Sequence, residues 1–384
     1  MPRATPFRSH CYKAERLMLE EQSMETRHAS NPIGAAANRR KTDVPRCCWR
    51  TAARCRGEEA LMSERFMLDR TNLSAFPKHF DGKRFYNPDA PQALGFLDVL
   101  RWKLTSRPEQ SPRFIWDVEA TIPPSRVDGN GLRVTLVNHS TVLLQQRGSN
   151  ILTDPIWSER ASPFSWIGPR RRRKPGVLFE DLPPIDAVLI SHNHYDHMDL
   201  PTIRLLATRG APTFIVPARA ARPLHSRNIG PVHELDWGES LSLQGFTVHS
   251  VPALHFSARG IFDRNLSLWC GYVIESAGRL IFFAGDSAFG PHFGQIRERF
   301  GAPRLALLPV GAYEPRWFMS PVHMGPDDAL RAHEILGAKT SLAIHHGTLQ
   351  LADEGLDTPG NRLSTRAPQD SFLILNNGQF AELT

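Results

Sequence analysis

The amino-acid sequence predicts a layered α/β fold, and two observations support that prediction. Short runs of apolar, often β-branched residues recur along the chain, and several stop abruptly at a histidine or an aspartate. Segments with helical periodicity separate these runs, which is the alternation expected of strands and helices packed in layers. With 384 residues, 41% of them hydrophobic and 22% charged, the chain has ample material for a core.

Three regions of different composition divide the chain. Residues 1–61 lack sustained periodicity and contain 12 Lys+Arg against 7 Asp+Glu, so we expect a disordered basic tail. An alternative is that the natural start is Met62 and that the tail is upstream sequence. Residues 62–130 are rich in proline and aromatics and are expected to form an arm packed on the main domain, residues 131–384.

Charge and cysteine content narrow the class of protein. The formal charge is +7, of which +5 lies in residues 1–61, so the basic balance does not argue for a nucleic-acid partner. Four of the five cysteines also lie there, and Cys270 stands alone in the body, so a reducing cytoplasm fits better than a disulfide framework. The sequence contains no run of about 18 apolar residues and no secretory signal, so we expect no membrane-spanning helix.

The strands are predicted from the apolar runs in chain order. Run 132–137 alternates like a strand, and 141–146 returns beside it after a turn at 138–140. Further strands are predicted at 150–153, 187–190 and 213–216, in a hairpin over 242–251, in a hairpin joining 269–275 to 280–283, and at 305–310 and 341–344. Helices are predicted over 94–102, over 200–206 and from Pro326 onward.

Metal-binding residue types cluster where one predicted strand ends. Strand 187–190 is followed by His192, His194, Asp196 and His197, three histidines and an aspartate within six residues. His192 and His194 point the same way off an extended segment, whereas Asp196 and His197 follow after a turn. Imidazole and carboxylate together suit a divalent metal such as zinc. The spacing leaves open whether one metal or two are bound, and a solvated histidine-rich turn is the alternative.

Three more predicted strands end in residues of the same types. His255 follows the hairpin over 242–251, Asp286 follows strand 280–283, and His345 follows strand 341–344. Strand ends in layered α/β folds are common places for catalytic groups. We therefore expect these residues and the 192–197 cluster to form a single site.

The order of these residues resembles the metallo-β-lactamase fold superfamily, in which H-x-H-x-D-H is followed by further histidine, aspartate and histidine ligands. Within it, the sequence is most similar to the family of N-acyl-phosphatidylethanolamine-hydrolysing phospholipase D and its bacterial, RomA-like relatives. The resemblance covers about residues 63–384, and the run Gly-Ala-Tyr-Glu-Pro-Arg-Trp-Phe-Met at 311–319 is far more specific than the metal motif. The other segments that carry it are 152–156, 191–199, 252–255, 283–286 and 344–348.

The resemblance implies an αββα sandwich, two mixed β-sheets flanked by helices, around two Zn²⁺ ions. The implied ligands are His192, His194 and His255 for one ion and Asp196, His197 and His345 for the other, with Asp286 bridging both. Asp196 and Asp286 are accordingly the implied catalytic carboxylates. His323 matches a family histidine near the active centre and is expected to act with them and to contact the phosphate, a structural histidine being the alternative.

Other residues are expected to contact substrate or to support the site. Arg316 is expected to supplement the metals in binding the phosphate, and Asp199 to orient a ligand histidine. The cationic run 170–174 is expected to attract a phosphate headgroup or an anionic membrane, with a solvated loop as the alternative. The residues expected to line an acyl groove are Trp102, Phe164, Trp166, Trp317, Phe318 and Met319. The remaining histidines, His139 among them, are expected to be ordinary surface or core residues.

The implied activity is that of a zinc-dependent, phospholipase D-type phosphodiesterase acting on N-acyl-phosphatidylethanolamine or a similar phospholipid. Two divalent cations lower the pKa of a bridging water from 15.7 towards about 7, so the hydroxide could attack phosphorus. A lactonase or another hydrolase of a soluble substrate is the runner-up, and a regulator of outer-membrane protein expression is third. Peripheral contact with an anionic membrane and a homodimer are left open, and no nucleic acid is expected.

Overall fold

Two mixed β-sheets and their flanking helices form the described part of the protein, which confirms the predicted αββα sandwich. The computed structural model describes residues 67–69, 76–88, 95–116, 118–368 and 370–384. The tail predicted over residues 1–61 lies outside the described residues, so its disorder and the alternative start at Met62 stay predictions. The boundary predicted at residue 130 also stays a prediction.

The predicted strands and helices are present. The structure also contains several short strands and helices that were not predicted from the sequence. The described strands are β1 Met67–Asp69, β2 Leu132–Asn138, β3 Thr141–Gln146, β4 Ser149–Thr153, β5 Ala187–Leu189, β6 Thr213–Pro217, β7 Val232–Leu235, β8 Ser240–Leu243, β9 Phe246–Val251, β10 Gly271–Ser276, β11 Arg279–Phe283, β12 Leu305–Pro309, β13 Thr340–Ile344, β14 Phe372–Leu373 and β15 Phe380–Leu383. The described α-helices are α1 Phe96–Thr105, α2 Leu200–Gly210, α3 Arg222–His225, α4 His292–Phe300, α5 Arg316–Met319, α6 Pro326–Leu336 and α7 Thr358–Ser364.

The first sheet has seven strands in the order β15-β2-β3-β4-β5-β6-β7. Strands β2 to β4 are antiparallel neighbours joined by tight turns, whereas β4 to β7 run parallel. Parallel neighbours need a crossover, and α2 supplies it between β5 and β6, with Pro201 in its first turn. The carboxyl ends of β4 and β5 therefore lie side by side.

The second sheet has eight strands in the order β1-β8-β9-β10-β11-β12-β13-β14. Strands β9 and β11 are both antiparallel to β10, so these two strands run in the same direction. Strands β11 to β14 are parallel. The carboxyl ends of β9, β11 and β13 thus share one edge of the sheet, and the segments that leave them carry His255, Asp286 and His345.

Large apolar side chains hold the two sheets together. One cluster of buried residues draws on both sheets and includes Trp237, Trp269 and Tyr272, each at most 1% exposed. The Tyr272 hydroxyl donates to the carbonyl oxygen of Ile190 at 2.9 Å, so its polar tip is satisfied inside the core. That bond joins a strand of the second sheet to the segment just before His192, and it helps to fix where the histidine segment begins.

Helix α1, which lies in the predicted arm, packs beside the edge where these strands end. The Trp102 indole stacks on Phe318 with 5.0 Å between ring centroids, and its Nε1 donates to Asp353 Oδ1 at 3.1 Å. On its other side the helix exposes Leu97 and Leu104, which are 76% and 78% accessible. The helix predicted over 94–102 is therefore present, and it contributes one face to the surroundings of the site.

Glycine is required where β12 leaves the sheet. A Cβ atom at Gly311 would lie 2.0 Å from the carbonyl oxygen of His345, far inside van der Waals contact. Any other residue would push apart the ends of β12 and β13. The first residue of the 311–319 run is thus glycine because the next strand passes close to it.

Candidate metal centre

The structure brings the seven predicted ligand residues together between the carboxyl ends of the strands, where they form one buried group, the His/Asp cluster. The first half of the cluster consists of His192, His194 and His255. In it, His192 Nε2 lies 2.8 Å from His194 Nδ1, and His255 Nε2 lies 3.2 Å from the same nitrogen. The second half consists of Asp196, His197 and His345. In it, Asp196 Oδ2 lies 3.1 Å from His197 Nε2 and 3.4 Å from His345 Nε2.

Asp286 lies between the two halves of the cluster. Its Oδ2 atom is 3.1 Å from the Nε2 atoms of both His197 and His345. The same oxygen is 3.8 Å from His255 Nε2 and 4.0 Å from His192 Nε2. A single carboxylate oxygen that faces histidines of both halves matches the position expected of a bridging ligand.

The donor atoms of the cluster suit a divalent metal. Nitrogen lone pairs that face each other at 2.8–3.2 Å repel unless a proton or a cation lies between them. Ligand nitrogens around tetrahedral zinc, with Zn–N bonds of about 2.0–2.1 Å, are themselves roughly 3.3 Å apart. Among the described residues, His197 Nε2, His345 Nε2 and Asp286 Oδ1 are buried without a hydrogen-bond partner. The His/Asp cluster is therefore able to bind metal.

Burial and charge divide the histidines into two electrostatic groups. Burial lowers the pKa of His192 and His255 well below the usual value, and neighbouring histidines lower it further. Burial alone would also lower the pKa of His345, but the carboxylates of Asp286 and Asp196 raise it to about 9. The second half of the cluster thus favours positive charge strongly, as expected where a cation binds.

Asp154 supports the cluster from behind, a role that the sequence analysis did not give it. Its Oδ2 accepts from His197 Nδ1 at 2.6 Å and from the Ser191 hydroxyl at 2.6 Å, and its Oδ1 accepts from the Ser191 amide. Such a carboxylate turns the far nitrogen of a ligand histidine towards the metal. Asp199, predicted to do this, instead lies at the start of helix α2, where its carboxylate accepts from the hydroxyls of Ser158 and Thr202.

His139 is a second residue that the sequence analysis missed. It is fully buried in the turn between β2 and β3, and its Nε2 lies 3.1 Å from Asp196 Oδ2. Its ring lies 4.2 Å from that of His345, and burial together with this neighbour lowers its pKa to about 4. His139 was predicted to be an ordinary surface or core residue. It does lie in the core, but there it contacts the second half of the cluster.

A cavity of about 320 Å³ opens beside the His/Asp cluster and reaches His194, Asp196, Asp286 and His345. His323 also lines it, with its Nδ1 3.9 Å from Asp286 Oδ2. The apolar side chains around it, the cavity wall, are Val99, Trp102, Phe256, Phe318, Met319 and Leu351. Three residues predicted for an acyl groove, Trp102, Phe318 and Met319, therefore lie here, whereas Phe164, Trp166 and Trp317 do not line it and are largely exposed.

Two residues predicted to contact substrate lie away from the cavity lining. Arg316 Nη2 forms an ion pair with Asp328 at 2.6 Å, at the start of α6. Trp317 is 40% exposed and stacks against the guanidinium of Arg101 at 4.5 Å. The 311–319 run therefore reaches the cavity through Ala312, Phe318 and Met319 rather than through the two residues predicted to bind substrate.

The cationic run 170–174 is bound within the protein. Arg170 pairs with Glu159 at 2.6 Å, and Arg173 makes a bidentate pair with Asp357 at 2.9 and 3.0 Å. Arg171 and Arg172 donate to backbone carbonyls, and Lys174 Nζ lies 4.7 Å from the Trp116 ring. Each cation of the run thus has a partner within the protein, although Arg170 is also exposed to solvent, and the predicted attraction for an anionic headgroup or membrane stays a prediction.

Comparison with known proteins identifies the family to which this site belongs. A family model described as Beta-lactamase superfamily domain matches residues 149–346, just over half of the chain. The chain belongs to the metallo-β-lactamase superfamily. It is 36% identical over 301 residues to N-acyl-phosphatidylethanolamine-hydrolyzing phospholipase D 1 of Caenorhabditis elegans, a match that covers 72% of this chain and 85% of the relative. The chain is thus a metal-dependent hydrolase of this superfamily.

Two further matches show how widely the fold is used. Outer membrane protein RomA of Klebsiella pneumoniae is 40% identical over 101 residues, which cover 26% of this chain and 74% of RomA. An isothiocyanate hydrolase from Delia radicum gut bacteria superimposes with a TM-score of 0.54 at 22% identity, over 65% of this chain and 98% of that one. At that identity the match supports the fold alone. None of the helices in the described residues is long and apolar enough to span a membrane.

Proposed function

We propose that this protein is a zinc-dependent phosphodiesterase of the phospholipase D type that acts on N-acyl-phosphatidylethanolamine-like phospholipids. One observation carries the proposal: the His/Asp cluster lines the same cavity as Phe318 and Met319, which belong to the 311–319 run. The similarity to a phospholipase of that name over most of both chains supports the same substrate class.

The size of the cavity limits which part of a lipid enters it. A volume of about 320 Å³ lies at the lower end of the roughly 300–1,000 Å³ usual for ligand pockets. It accommodates a phosphate and its immediate substituents, while the acyl chains extend along the surface. Apolar side chains are available there, since Ile261 and Phe262, in the loop that leads to the cavity-lining Arg264, are 91% and 84% exposed. These residues also support peripheral contact with a membrane.

The proposed roles of the side chains follow from their positions. His192, His194 and His255 would hold one metal, Asp196, His197 and His345 the other, and Asp286 would lie between them. Two bound metals would lower the pKa of water from 15.7 towards about 7 and neutralise charge on the phosphoryl oxygens. Burial lowers the pKa of His323 to about 3, so at neutral pH it can donate a hydrogen bond to phosphate but not a proton from an imidazolium. Hydrolysis would form a bond from the water oxygen to phosphorus and break the bond from phosphorus to the head-group oxygen, which would leave as an alcohol that carries one proton of that water.

A hydrolase of a soluble substrate is the second candidate, and the small cavity is the observation that favours it. A lactone or another compact ester would fit without any surface for acyl chains. The exposed apolar residues Ile261 and Phe262 would then have no evident use.

A substrate panel on the metal-loaded protein separates the two candidates. We expect turnover of N-acyl-phosphatidylethanolamine in mixed micelles, slower turnover of soluble phosphodiesters, and no turnover of lactones. Elemental analysis of the same preparation should give about two zinc ions per chain. Turnover of lactones alone would overturn the phospholipase assignment, and less than one metal per chain in every preparation would overturn the binuclear one.

A further inference from the structure

Arg264 stands out among the residues that line the cavity. Of these described residues, it alone is an arginine or a lysine. The sequence analysis assigned the phosphate-binding cation to Arg316, but that guanidinium is held by Asp328 away from the lining. The cation that lines the cavity is therefore Arg264 rather than Arg316.

Aromatic stacking holds the Arg264 side chain next to the His/Asp cluster. Its guanidinium carbon lies 4.4 Å from the centre of the Phe256 ring. That ring in turn packs edge-on against His194 at 4.6 Å and lies 4.9 Å from His255. The cation and two predicted metal ligands thus pack against the same aromatic ring, and Arg264 and His194 line the same cavity.

The loop that carries Arg264 is fixed by its own hydrogen bonds. The Asn265 amide donates to the carbonyl of Ser257 at 2.8 Å, and the guanidinium of Arg84 donates to the carbonyl of Arg264. The nearby Asp263 carboxylate accepts from the backbone amides of Arg259 and Gly260, at 3.1 and 2.7 Å. Asp263 therefore stabilises the loop instead of neutralising Arg264.

The charge of Arg264 is left without a carboxylate partner. Within the described part of the chain, no acidic group lies within 4.0 Å of its guanidinium, and burial alone lowers its pKa. Other partly buried arginines either pair with an acid, as Arg173 does with Asp357, or donate to backbone carbonyls, as Arg259 does to those of Asn193 and Met198. A half-buried guanidinium that faces a cavity and lacks an acid is a ready binding group for an anion.

We propose that Arg264 binds the phosphoryl oxygens of the substrate and selects phosphate-bearing substrates over neutral esters. This inference rests on the proposed function for the identity of the substrate, but the anion site itself can be tested without turnover. A planar guanidinium donates two parallel hydrogen bonds to phosphate, a geometry that lysine cannot reproduce. The cavity would thus bind the phosphate between the His/Asp cluster and Arg264.

The test measures binding of inorganic phosphate and of a short-chain phosphatidic acid to metal-loaded protein by titration calorimetry. For Arg264→Gln we expect both dissociation constants to rise roughly tenfold to hundredfold, the loss expected for charge-assisted hydrogen bonds. Arg264→Lys should recover part of the loss. Arg331→Gln is the matched control, because Arg331 also stacks on a phenylalanine, Phe289 at 4.0 Å, but does not line the cavity. Metal content should be equal in all variants.

Turnover of a soluble phosphodiester gives the second readout. Arg264→Gln should raise KM for the phosphodiester, while any slow hydrolysis of a neutral aryl ester stays as in the wild type. Phosphate binding by Arg264→Gln that equals the wild type would overturn the proposal. If Arg264→Gln loses phosphate binding in a protein that hydrolyses no phosphodiester, the anion site stands and the phospholipase assignment fails.

Discussion

The His/Asp cluster and the cavity wall lie side by side but are built in different ways. The cluster residues follow the ends of buried strands, and buried bonds such as His197 to Asp154 fix their orientation. The wall is assembled from separate segments outside the sheets, including α1, the loop after His255 and the 311–319 run. In this protein the sheets thus position the predicted metal ligands, whereas segments outside the sheets shape the cavity.

Two adjacent acids hold the cavity wall together. Glu354 is 8% exposed, and its carboxylate accepts from the backbone amides of Ala312, Tyr313 and Glu314. Asp353 accepts from Trp102 Nε1 at 3.1 Å and from a hydroxyl at the end of α1 at 2.6 Å. One dipeptide thereby joins α1 to the start of the 311–319 run.

The largest expected effect concerns the cluster. Asp286→Asn should lower kcat at least as much as loss of an oxyanion-hole donor does, about a hundredfold to a thousandfold, since the amide removes the central negative charge. Activity on the preferred substrate and metal content by elemental analysis provide the measurement. Glu334→Gln, at an exposed position on α6, is the control. A rate equal to that of the wild type would exclude Asp286 from the bridging role.

The carboxylate behind the cluster should have the next largest effect. Asp154→Asn should weaken metal binding about tenfold to hundredfold, because an amide nitrogen replaces one of the two oxygens that accept from Ser191 and His197, and the negative charge behind His197 is lost. Competition with a chromophoric chelator measures the affinity. Asp199→Asn should leave metal affinity unchanged, since the Asp199 carboxylate accepts from Ser158, after β4, and from Thr202, at the start of α2. Equal affinities for the two variants would contradict the support role of Asp154.

A substitution that weakens the cavity wall should change the stability of the protein but not its metal binding. Glu354→Gln should lower the free energy of unfolding by about 1–3 kcal/mol, because an amide nitrogen replaces one of the two oxygens that accept buried backbone bonds. Urea denaturation measures this change, and elemental analysis should show unchanged metal content. Loss of metal in this variant would show that wall and cluster are not independent.

The smallest expected effect is one of substrate preference. Trp102→Ala should raise KM for the lipid by roughly threefold to tenfold, since it removes an aromatic side chain from the cavity wall. KM for a small soluble phosphodiester should change little. Trp102→Phe, which keeps an aromatic ring but loses the bond to Asp353, separates lost surface from lost anchoring. Equal increases for both substrates would place Trp102 in the support of the cluster instead.

The sequence predicted a layered α/β fold and a single site of seven residues because strand ends are visible as interrupted apolar runs, whereas the αββα arrangement was implied by the resemblance to the superfamily. Asp154 obeys the same rule at the end of β4, yet an aspartate before proline also fits an ordinary turn. His139 was missed because it lies in a tight turn with φ of 43°, and only the fold brings that turn to Asp196. The sequence also could not show which acid pairs with which cation, because the two residues can lie far apart in the chain; Arg173 and Asp357, for example, are 184 positions apart.

Cluster residues follow strands of both sheets, and this has a consequence for the stability of the whole molecule. His192 to His197 leave the first sheet, whereas His255, Asp286 and His345 leave the second. A cation bound by both groups cross-links the two layers of the sandwich and binds only to the native arrangement. By mass action, the melting temperature should then rise with the logarithm of the free metal concentration. Metal supply in the cell would determine how much of this protein is folded as well as how much of it is active.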